Sequence, residues 1–105
     1  MTSRSEIAFA SAEALVDLYR TKALSPVEAA QALFERLNAL QPRLNAFCVV
    51  DRDGALAAAR DAERRWHRVE PLSPIDGVPA TIKDLVLMRG FPTLRGSKLT
   101  APAQD

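Results

Sequence analysis

The chain has 105 residues, of which 48% are apolar and 26% are charged, a composition typical of a folded protein of modest size. Its 14 basic and 13 acidic residues leave a formal net charge of +1, which gives no electrostatic basis for direct binding of nucleic acid or of an anionic membrane. No apolar stretch approaches the roughly 20 residues of a membrane-spanning helix, and the N-terminus lacks the apolar core of a signal peptide, so we expect a cytoplasmic protein.

Residues 11–69 are predicted to be mainly helical. Ser11 can cap a first helix that runs to Arg20 or Lys22, because a serine at this position accepts a hydrogen bond from a free backbone N–H of the first turn. The apolar side chains of this helix recur at helical spacing and predict one buried face: Leu15, Leu18 and Tyr19.

A second helix is predicted to begin at Ser25–Glu28. Ser25 and Glu28 have the spacing of a capping box, and Pro26 occupies the first helical position, where its missing N–H costs nothing. One apolar stripe follows and predicts a core-facing helix that ends near Pro42: Val27, Ala30, Leu33, Phe34, Leu37 and Leu40.

Residues 45–50 form a short apolar run rich in strand-forming residues and predict a strand. The run contains the single cysteine, Cys48, which has no partner for an internal disulfide. A lone cysteine in such a run is typical of a buried, unreactive thiol, so we assign Cys48 no catalytic role.

A third helix is predicted from about Asp53 to Arg68, with charged residues on its outer face. Its inner face carries small and apolar side chains that predict close packing: Ala55, Ala59, Ala62, Trp66 and Val69. His67 lies among arginines without a second metal ligand nearby, so we interpret it as a solvated side chain and predict no metal site.

The composition changes after Glu70, where prolines and glycines punctuate residues 70–105 and predict short strands and turns. One apolar run, residues 78–88, predicts a buried strand, because it is largely apolar on both faces, as in a strand covered on both sides. Lys83 lies inside this run.

A lysine in an apolar strand has two ordinary explanations, a solvent-facing position or a long side chain that reaches the surface. The alternative is a buried amine, whose pKa burial can lower from about 10.4 by roughly 3–5 units. A neutral amine can accept the proton of a serine nucleophile, but the composition alone does not choose between these readings of Lys83.

The motif around Lys83 is more specific. The segment Pro74–Leu85, with the sequence PIDGVPATIKDL, is followed by Gly90–Thr93 and Gly96–Ser97, and together they resemble the lysine region of the amidase signature family. The upstream segments Leu24–Glu28 and Leu44–Phe47 also resemble the start of the second helix and the first strand of that family, in the same order. The resemblance covers most of the chain, from about residue 11 to residue 105.

The resemblance implies an α/β fold, a mixed sheet flanked by helices, of which this chain would hold the N-terminal part: mainly helices with one or two strands. It also implies cleavage of amide bonds by a Lys–Ser–Ser triad with no cofactor. Lys83 would be the catalytic lysine, acting with a serine in a cis peptide to deprotonate a second serine, while backbone N–H groups of a glycine- and serine-rich loop stabilise the oxyanion.

The chain differs from the family pattern because it lacks the glycine- and serine-rich loop. It contains no Gly-Ser-Ser-Gly-Gly-Ser type sequence, and neither Ser73 nor Ser97 matches a triad serine. We therefore expect residues 1–105 to be the N-terminal part of a single amidase domain, inactive alone, with its substrate-binding residues unassigned. Leu94 stands where many members carry a threonine, which bears on the subfamily.

Three readings of function remain open. The first is a small-molecule amidase acting on linear amides, including the urea-derivative type, for which the resemblance allows a homodimer of the intact enzyme. The second is the glutaminase subunit of the tRNA-dependent amidotransferase, which requires partner subunits. The third is a non-catalytic module that docks a partner; the apolar character of residues 78–88 argues against it, because a free-standing module needs a polar surface there.

Overall fold

The structure, a computed structural model, describes residues 4–95, with the side chains of residues 4 and 5 left aside. Four helices follow one another in this part of the chain: α1 (Arg4–Ala8), α2 (Ala12–Arg20), α3 (Pro26–Leu44) and α4 (Arg52–His67). The predicted positions of α2, α3 and α4 are confirmed, whereas the short helix α1 was not predicted. None of these helices is long and apolar enough to cross a bilayer.

The predicted start signals of α2 and α3 are confirmed by the hydrogen bonds of their N-terminal caps. The Ser11 hydroxyl accepts from the backbone N–H of Ala14 at 3.1 Å. In α3 the Ser25 hydroxyl accepts from the Glu28 N–H at 3.1 Å, and the Glu28 carboxylate accepts from the Ser25 N–H at 3.0 Å. This reciprocal capping box satisfies two backbone donors that the helix itself leaves unpaired.

The end of α3 lies at Leu44, beyond the predicted end near Pro42. Pro42 is accommodated within the last turn, and the helix stops where Asn45 adopts a left-handed conformation (φ 46°). The Asn45 N–H donates to the Gln41 carbonyl at 2.7 Å. Asparagine tolerates this conformation better than most residues, so Asn45, and not Pro42, is the stop signal.

The core is built from residues of all four helices and of the loop between α2 and α3. Its members are the buried side chains Ile7, Leu15, Val16, Tyr19, Leu24, Ala29, Ala32 and Trp66. α3 packs against both α1 and α4, and the small buried alanines on the facing helices allow a close approach. The rings of Tyr19 and Trp66 lie 6.1 Å apart at a tilt of 52°, a favourable aromatic geometry at the centre of the core.

Parts of two predicted helix faces differ from the expectation. In α3 the buried residues are Pro26, Ala29, Ala30 and Ala32, whereas the larger apolar residues of the predicted stripe are only partly buried. In α4 the predicted inner residues Ala59, Ala62 and Trp66 are buried, but Ala55 and Val69 are exposed. The inner face is therefore set by small residues that let the helices approach.

Neither predicted strand is present in residues 4–95, and both predictions are wrong for this structure. Residues 78–88 form an irregular segment with turns, and residues 45–50 are likewise irregular; the only bridge-type residue in this range is Pro92. The α/β sheet implied by the resemblance is therefore not formed within the described residues, which are mostly helical. A strand requires a neighbour for its backbone groups, and the helices supply none.

Candidate functional site

The chain enters the lysine segment through a turn that is fixed to the end of α4. The Arg65 guanidinium donates twice to the Asp76 carboxylate, from Nε to Oδ2 at 2.6 Å and from Nη2 to Oδ1 at 2.8 Å. The Leu72 N–H also donates to Asp76 Oδ2 at 3.0 Å. On the same turn the Trp66 indole N–H donates to the Asp76 carbonyl at 2.8 Å.

A second anchor ties the same turn to α2 and α3. The Tyr19 hydroxyl donates to the Gly77 carbonyl at 2.9 Å. Gly77 has a φ of 83°, and a Cβ atom there would lie 2.7 Å from Cγ of Pro26. Only glycine fits this position, because it combines the left-handed conformation with a side-chain-free approach to α3. Val78, the next residue, packs against the core.

The electrostatics of this anchor are those of a partly buried ion pair. Hydrogen bonds from Arg65 hold the pKa of Asp76 below its ordinary value, and the Leu72 N–H adds to the effect. The same hydrogen bonds raise the pKa of Arg65. Burial raises the pKa of Tyr19 to about 12, which keeps its hydroxyl protonated as the donor to Gly77.

Lys83 lies on the far side of this turn, in an exposed position. Its carbonyl accepts from the Val86 N–H at 3.0 Å, so Lys83 opens a tight turn. A second turn, closed by the Phe91 N–H and the Met88 carbonyl at 3.1 Å, reverses the chain. We call residues 83–95 the lysine loop.

Asp84 closes the lysine loop. Its carboxylate Oδ1 accepts from the Leu94 N–H at 2.9 Å, and its backbone carbonyl accepts from the Arg95 N–H at 3.1 Å. The two ends of the lysine loop are therefore joined by hydrogen bonds to Asp84, the residue that follows Lys83.

Cys48 contacts Asp84 from the other side. Its Sγ lies 3.6 Å from Asp84 Oδ2 as a thiol donor, and the carboxylate charge raises the pKa of the thiol. The predicted burial of Cys48 is wrong, because the residue is exposed. The Gln41 side chain fixes the preceding segment through two hydrogen bonds with the Phe47 backbone, at 2.7 and 3.2 Å. The end of α3 is thereby connected to the lysine loop.

The apolar side chains next to Lys83 are exposed, contrary to the predicted buried strand. Their exposed fractions lie between 44% and 63%, for Ile82, Leu85, Val86, Leu87 and Met88. The lysine is thus placed in an apolar surface that the described residues do not cover.

The remaining sequence-predicted positions lie elsewhere. His67 is exposed at the end of α4, and within residues 4–95 no group of acidic, histidine or cysteine side chains could hold a metal ion. Two surface cavities lie on the helices, one bordered by Gln31 and Arg52 and the other by Tyr19 and His67, and Lys83 lines neither. Ser97 lies outside the described residues.

Sequence reasoning missed the two acidic residues that organise this region. The motif around Lys83 contains both Asp76 and Asp84, but no role was predicted for either of them. The signal available for Asp76 was its place before a glycine in a proline-rich turn, where an aspartate often accepts from nearby backbone N–H groups. No comparable local signal points to the contact of Asp84 with Leu94.

Comparison with known proteins supports the resemblance. The family model described as "Amidase" matches residues 28–105. The chain is 44% identical over 91 residues to the glutamyl-tRNA(Gln) amidotransferase A-subunit of Salinispora tropica. This match covers 87% of the present chain and 18% of the Salinispora protein. The chain is also 44% identical over 78 residues to the corresponding protein of Chloroflexus aggregans, covering 74% of this chain and 16% of that protein.

A third relative, the glutamyl-tRNA(Gln) amidotransferase A-subunit of Acidothermus cellulolyticus, is 40% identical over 85 residues, covering 81% of this chain and 17% of that protein. No solved structure matches the chain. The chain spans less than a fifth of the length of these curated relatives. The family model covers well over half of the chain, including the whole lysine motif. The chain therefore belongs to the amidase signature family.

Proposed function

We propose that Lys83 is the catalytic lysine of an amide-hydrolysing enzyme of this family, in which residues 1–105 form the N-terminal part of the amidase domain. The observation that carries the proposal is the Lys83–Asp84 pair at the mouth of a closed loop, inside the segment that the family model matches. The chain is anchored a few residues before this loop, because Asp76 and Gly77 are both hydrogen bonded to the helical core.

The proposed chemistry is acyl transfer. The neutral Lys83 amine takes a proton, through one serine, from the hydroxyl of a second serine. That serine Oγ attacks the amide carbonyl, the C–N bond breaks, and the amine leaves with a proton. Water then hydrolyses the acyl ester and regenerates the serine. No cofactor enters these steps, and both serines would come from outside residues 1–105.

A lysine is a base only when burial favours its neutral form. Lys83 is exposed among residues 4–95, but the side chains beside it are large and apolar. We infer that the rest of the domain covers these side chains and encloses the amine at the same time. Without that cover the chain would lack both the desolvated base and the nucleophile, and we expect it to be inactive alone.

The names of the relatives favour the second of the two enzyme readings. Each of the three relatives is named as the A-subunit of a glutamyl-tRNA(Gln) amidotransferase. We therefore propose a glutaminase-type subunit, in which the carboxamide of glutamine is hydrolysed, and a small-molecule amidase becomes the alternative. Protein partners belong to this proposal, as does a cytoplasmic location; a homodimer belongs to the alternative.

A chimera tests the assignment. The matched 91-residue stretch of the Salinispora tropica protein is replaced by the corresponding stretch of this chain, and glutamine hydrolysis is measured with that protein's own partners present. We expect Lys83→Ala to lower kcat by about 100-fold or more, the contribution typical of a general base. Lys83→Arg is expected to be equally inactive, because a guanidinium keeps its proton.

The matched control is Arg89→Ala, which removes an exposed cation from the same loop and should retain full activity. Turnover that persists in Lys83→Ala would overturn the proposal. A glutaminase-negative chimera that hydrolyses simple linear amides in a Lys83-dependent manner would favour the small-molecule amidase.

The exposed apolar surface also fits a non-catalytic docking module. Sedimentation of the 105-residue chain separates the readings. A chain that stays monomeric at all concentrations would favour the module, whereas a folded chain that self-associates through the exposed apolar surface would favour a domain that is incomplete without further cover.

A further inference from the structure

We propose that Asp84 is a positioning residue for Lys83: by accepting the Leu94 N–H with its carboxylate and the Arg95 N–H with its carbonyl, it closes the lysine loop and fixes the backbone from which the lysine side chain projects. This inference rests on the proposed role of Lys83. It assigns to Asp84 no contact with substrate or with the reacting atoms.

The first argument is the geometry of closure. Asp84 Oδ1 lies 2.9 Å from the Leu94 nitrogen and the Asp84 carbonyl oxygen lies 3.1 Å from the Arg95 nitrogen. Two consecutive N–H groups at the end of the loop therefore converge on one residue at its start. A charged acceptor makes the first of these bonds stronger than one between neutral groups.

The second argument is that the chain just before Lys83 has no regular structure in the described residues. The segment between Ala80 and Lys83 is irregular and exposed, so no helix or sheet fixes it. Val78 is the last apolar residue before Lys83 that packs against the core cluster. The hydrogen bonds of Asp84 and the Val86–Lys83 turn restrain the backbone on the C-terminal side of the lysine.

The third argument is the connection to α3. The Asp84 carboxylate uses its second oxygen to accept from the Cys48 thiol at 3.6 Å. Cys48 follows Phe47, whose backbone is clamped by the Gln41 side chain. The Asp84 carboxylate thus accepts one hydrogen bond from the lysine loop and one from the segment that follows α3, and it joins the two.

Amide hydrogen exchange in the 105-residue chain tests the closure directly. In Asp84→Ala we expect both the Leu94 and the Arg95 amides to exchange roughly tenfold faster or more, since the loop loses a hydrogen bond to a charged group. Asp84→Asn keeps an oxygen acceptor and should retain much of the protection. Trp66 fluorescence shows in each variant whether the core is intact.

The Arg95 amide is the deciding readout, because its acceptor is the Asp84 backbone and survives the substitution. Faster exchange at Arg95 means that the loop opens when the carboxylate is lost. Unchanged protection at Arg95 in Asp84→Ala, with an intact core, would overturn the proposal.

The chimera described above tests the consequence for catalysis. A displaced lysine should lower kcat with little effect on KM, and we expect Asp84→Ala to lower kcat by about 10- to 100-fold with KM within about twofold. Asp84→Asn should restore most of the loss. Asp61→Ala, which removes an exposed acid from α4, is the matched control and should leave kcat unchanged.

The two proposals fail in different ways. If Lys83→Ala remains active, the role of Lys83 is wrong, whatever Asp84 does. If Lys83→Ala is inactive but Asp84→Ala keeps full kcat, the role of Lys83 stands and the positioning role of Asp84 is overturned.

Discussion

Arg65 and Asp76 face each other across the turn that follows α4, joined by two hydrogen bonds of 2.6 and 2.8 Å between their side chains. The Asp76 side chain is only 7% exposed, so this carboxylate depends on its partners for solvation. We expect Arg65→Ala to lower the free energy of unfolding by about 2–3 kcal/mol, because it leaves a nearly buried charge without its main donor. Urea unfolding followed by circular dichroism measures the loss.

The neighbouring Arg64 provides the control. It pairs with Asp61, but the two side chains are 65% and 60% exposed. An exposed pair of this kind contributes little, and we expect Arg64→Ala to change the free energy of unfolding by less than about 0.5 kcal/mol. Equal losses of unfolding free energy in the two variants would show that the Arg65–Asp76 pair contributes no more to stability than the exposed Arg64–Asp61 pair.

The same pair predicts a dependence of stability on pH. The pKa of Asp76 is lowered in the folded chain, chiefly by the Arg65 hydrogen bonds. In the unfolded chain the carboxyl titrates near its ordinary pKa of about 3.9. The stabilisation is therefore complete above about pH 4 and is lost as the pH falls through the lower, folded pKa.

Urea midpoints recorded between about pH 5 and about pH 2.5 should fall with acid in the parent chain and fall less in Asp76→Asn. Because Asp76→Asn also weakens the pair at neutral pH, the informative quantity is the slope with pH. Equal slopes in the two proteins would contradict the assignment to Asp76.

Gly77 and Gly90 form a natural comparison. Both have left-handed backbones, with φ of 83° and 85°. A Cβ at Gly77 would lie 2.7 Å from Pro26 Cγ, whereas a Cβ at Gly90 would meet nothing within 4 Å. We expect Gly90→Ala to cost about 1 kcal/mol from the backbone alone and Gly77→Ala about 2–4 kcal/mol, because overpacking adds to it.

Thermal unfolding of the two variants under identical conditions measures the difference. The packing contribution at Gly77 is the excess over Gly90→Ala. If the two substitutions lowered the melting temperature equally, the close approach of Gly77 to Pro26 would not matter for stability.

The helices could be predicted from the sequence because their signals are local. Ser11, Ser25 and Glu28 satisfy backbone donors within four residues of themselves, so the spacing alone places the caps. The apolar spacing in α4 likewise identified Ala59, Ala62 and Trp66 as inner residues. Pro42 misled the prediction of the end of α3, because the stop signal is the left-handed Asn45.

The lysine region could not be predicted in the same way. Apolar residues such as Leu85 and Leu87 have strand-like composition, but a strand also needs a ladder of backbone hydrogen bonds. Within residues 4–95 this segment forms turns and receives the Arg95 N–H at the Asp84 carbonyl, without a ladder. The contacts that order the region join residues far apart in sequence, as Cys48 and Asp84 do. The catalytic role of Lys83 stays a prediction from its motif, since no local physical signal distinguishes a catalytic lysine from a solvated one.

Tyr19 is the only tyrosine in the chain, so tyrosinate absorbance reports on it alone. Burial raises its pKa to about 12. In the unfolded chain the hydroxyl titrates near pH 10, so the stabilisation is complete below about pH 10 and is lost as the pH rises toward 12. We expect an absorbance midpoint well above 10 in buffer, and a midpoint of about 10 in concentrated urea.

Tyr19→Phe should lower the free energy of unfolding by about 1 kcal/mol at neutral pH, because the Gly77 carbonyl loses its donor. Because phenylalanine has no hydroxyl to ionise, the stability of the variant should also fall less than that of the parent chain as the pH rises from about 10 to about 12. An absorbance midpoint that is the same in buffer and in urea would show that Tyr19 is not buried in the folded chain.

Lys83 should contribute to reaction and not to folding. The residue is exposed, and its backbone carbonyl accepts from the Val86 N–H. We therefore expect Lys83→Ala in the 105-residue chain to change the free energy of unfolding by no more than about 0.5 kcal/mol.

Leu24→Ala, which truncates a core side chain, is the positive control and should cost about 2–4 kcal/mol in the same urea titration. A loss above about 1 kcal/mol in Lys83→Ala would assign the lysine a structural role. With stability unchanged, an inactive Lys83→Ala chimera can be attributed to the missing amine.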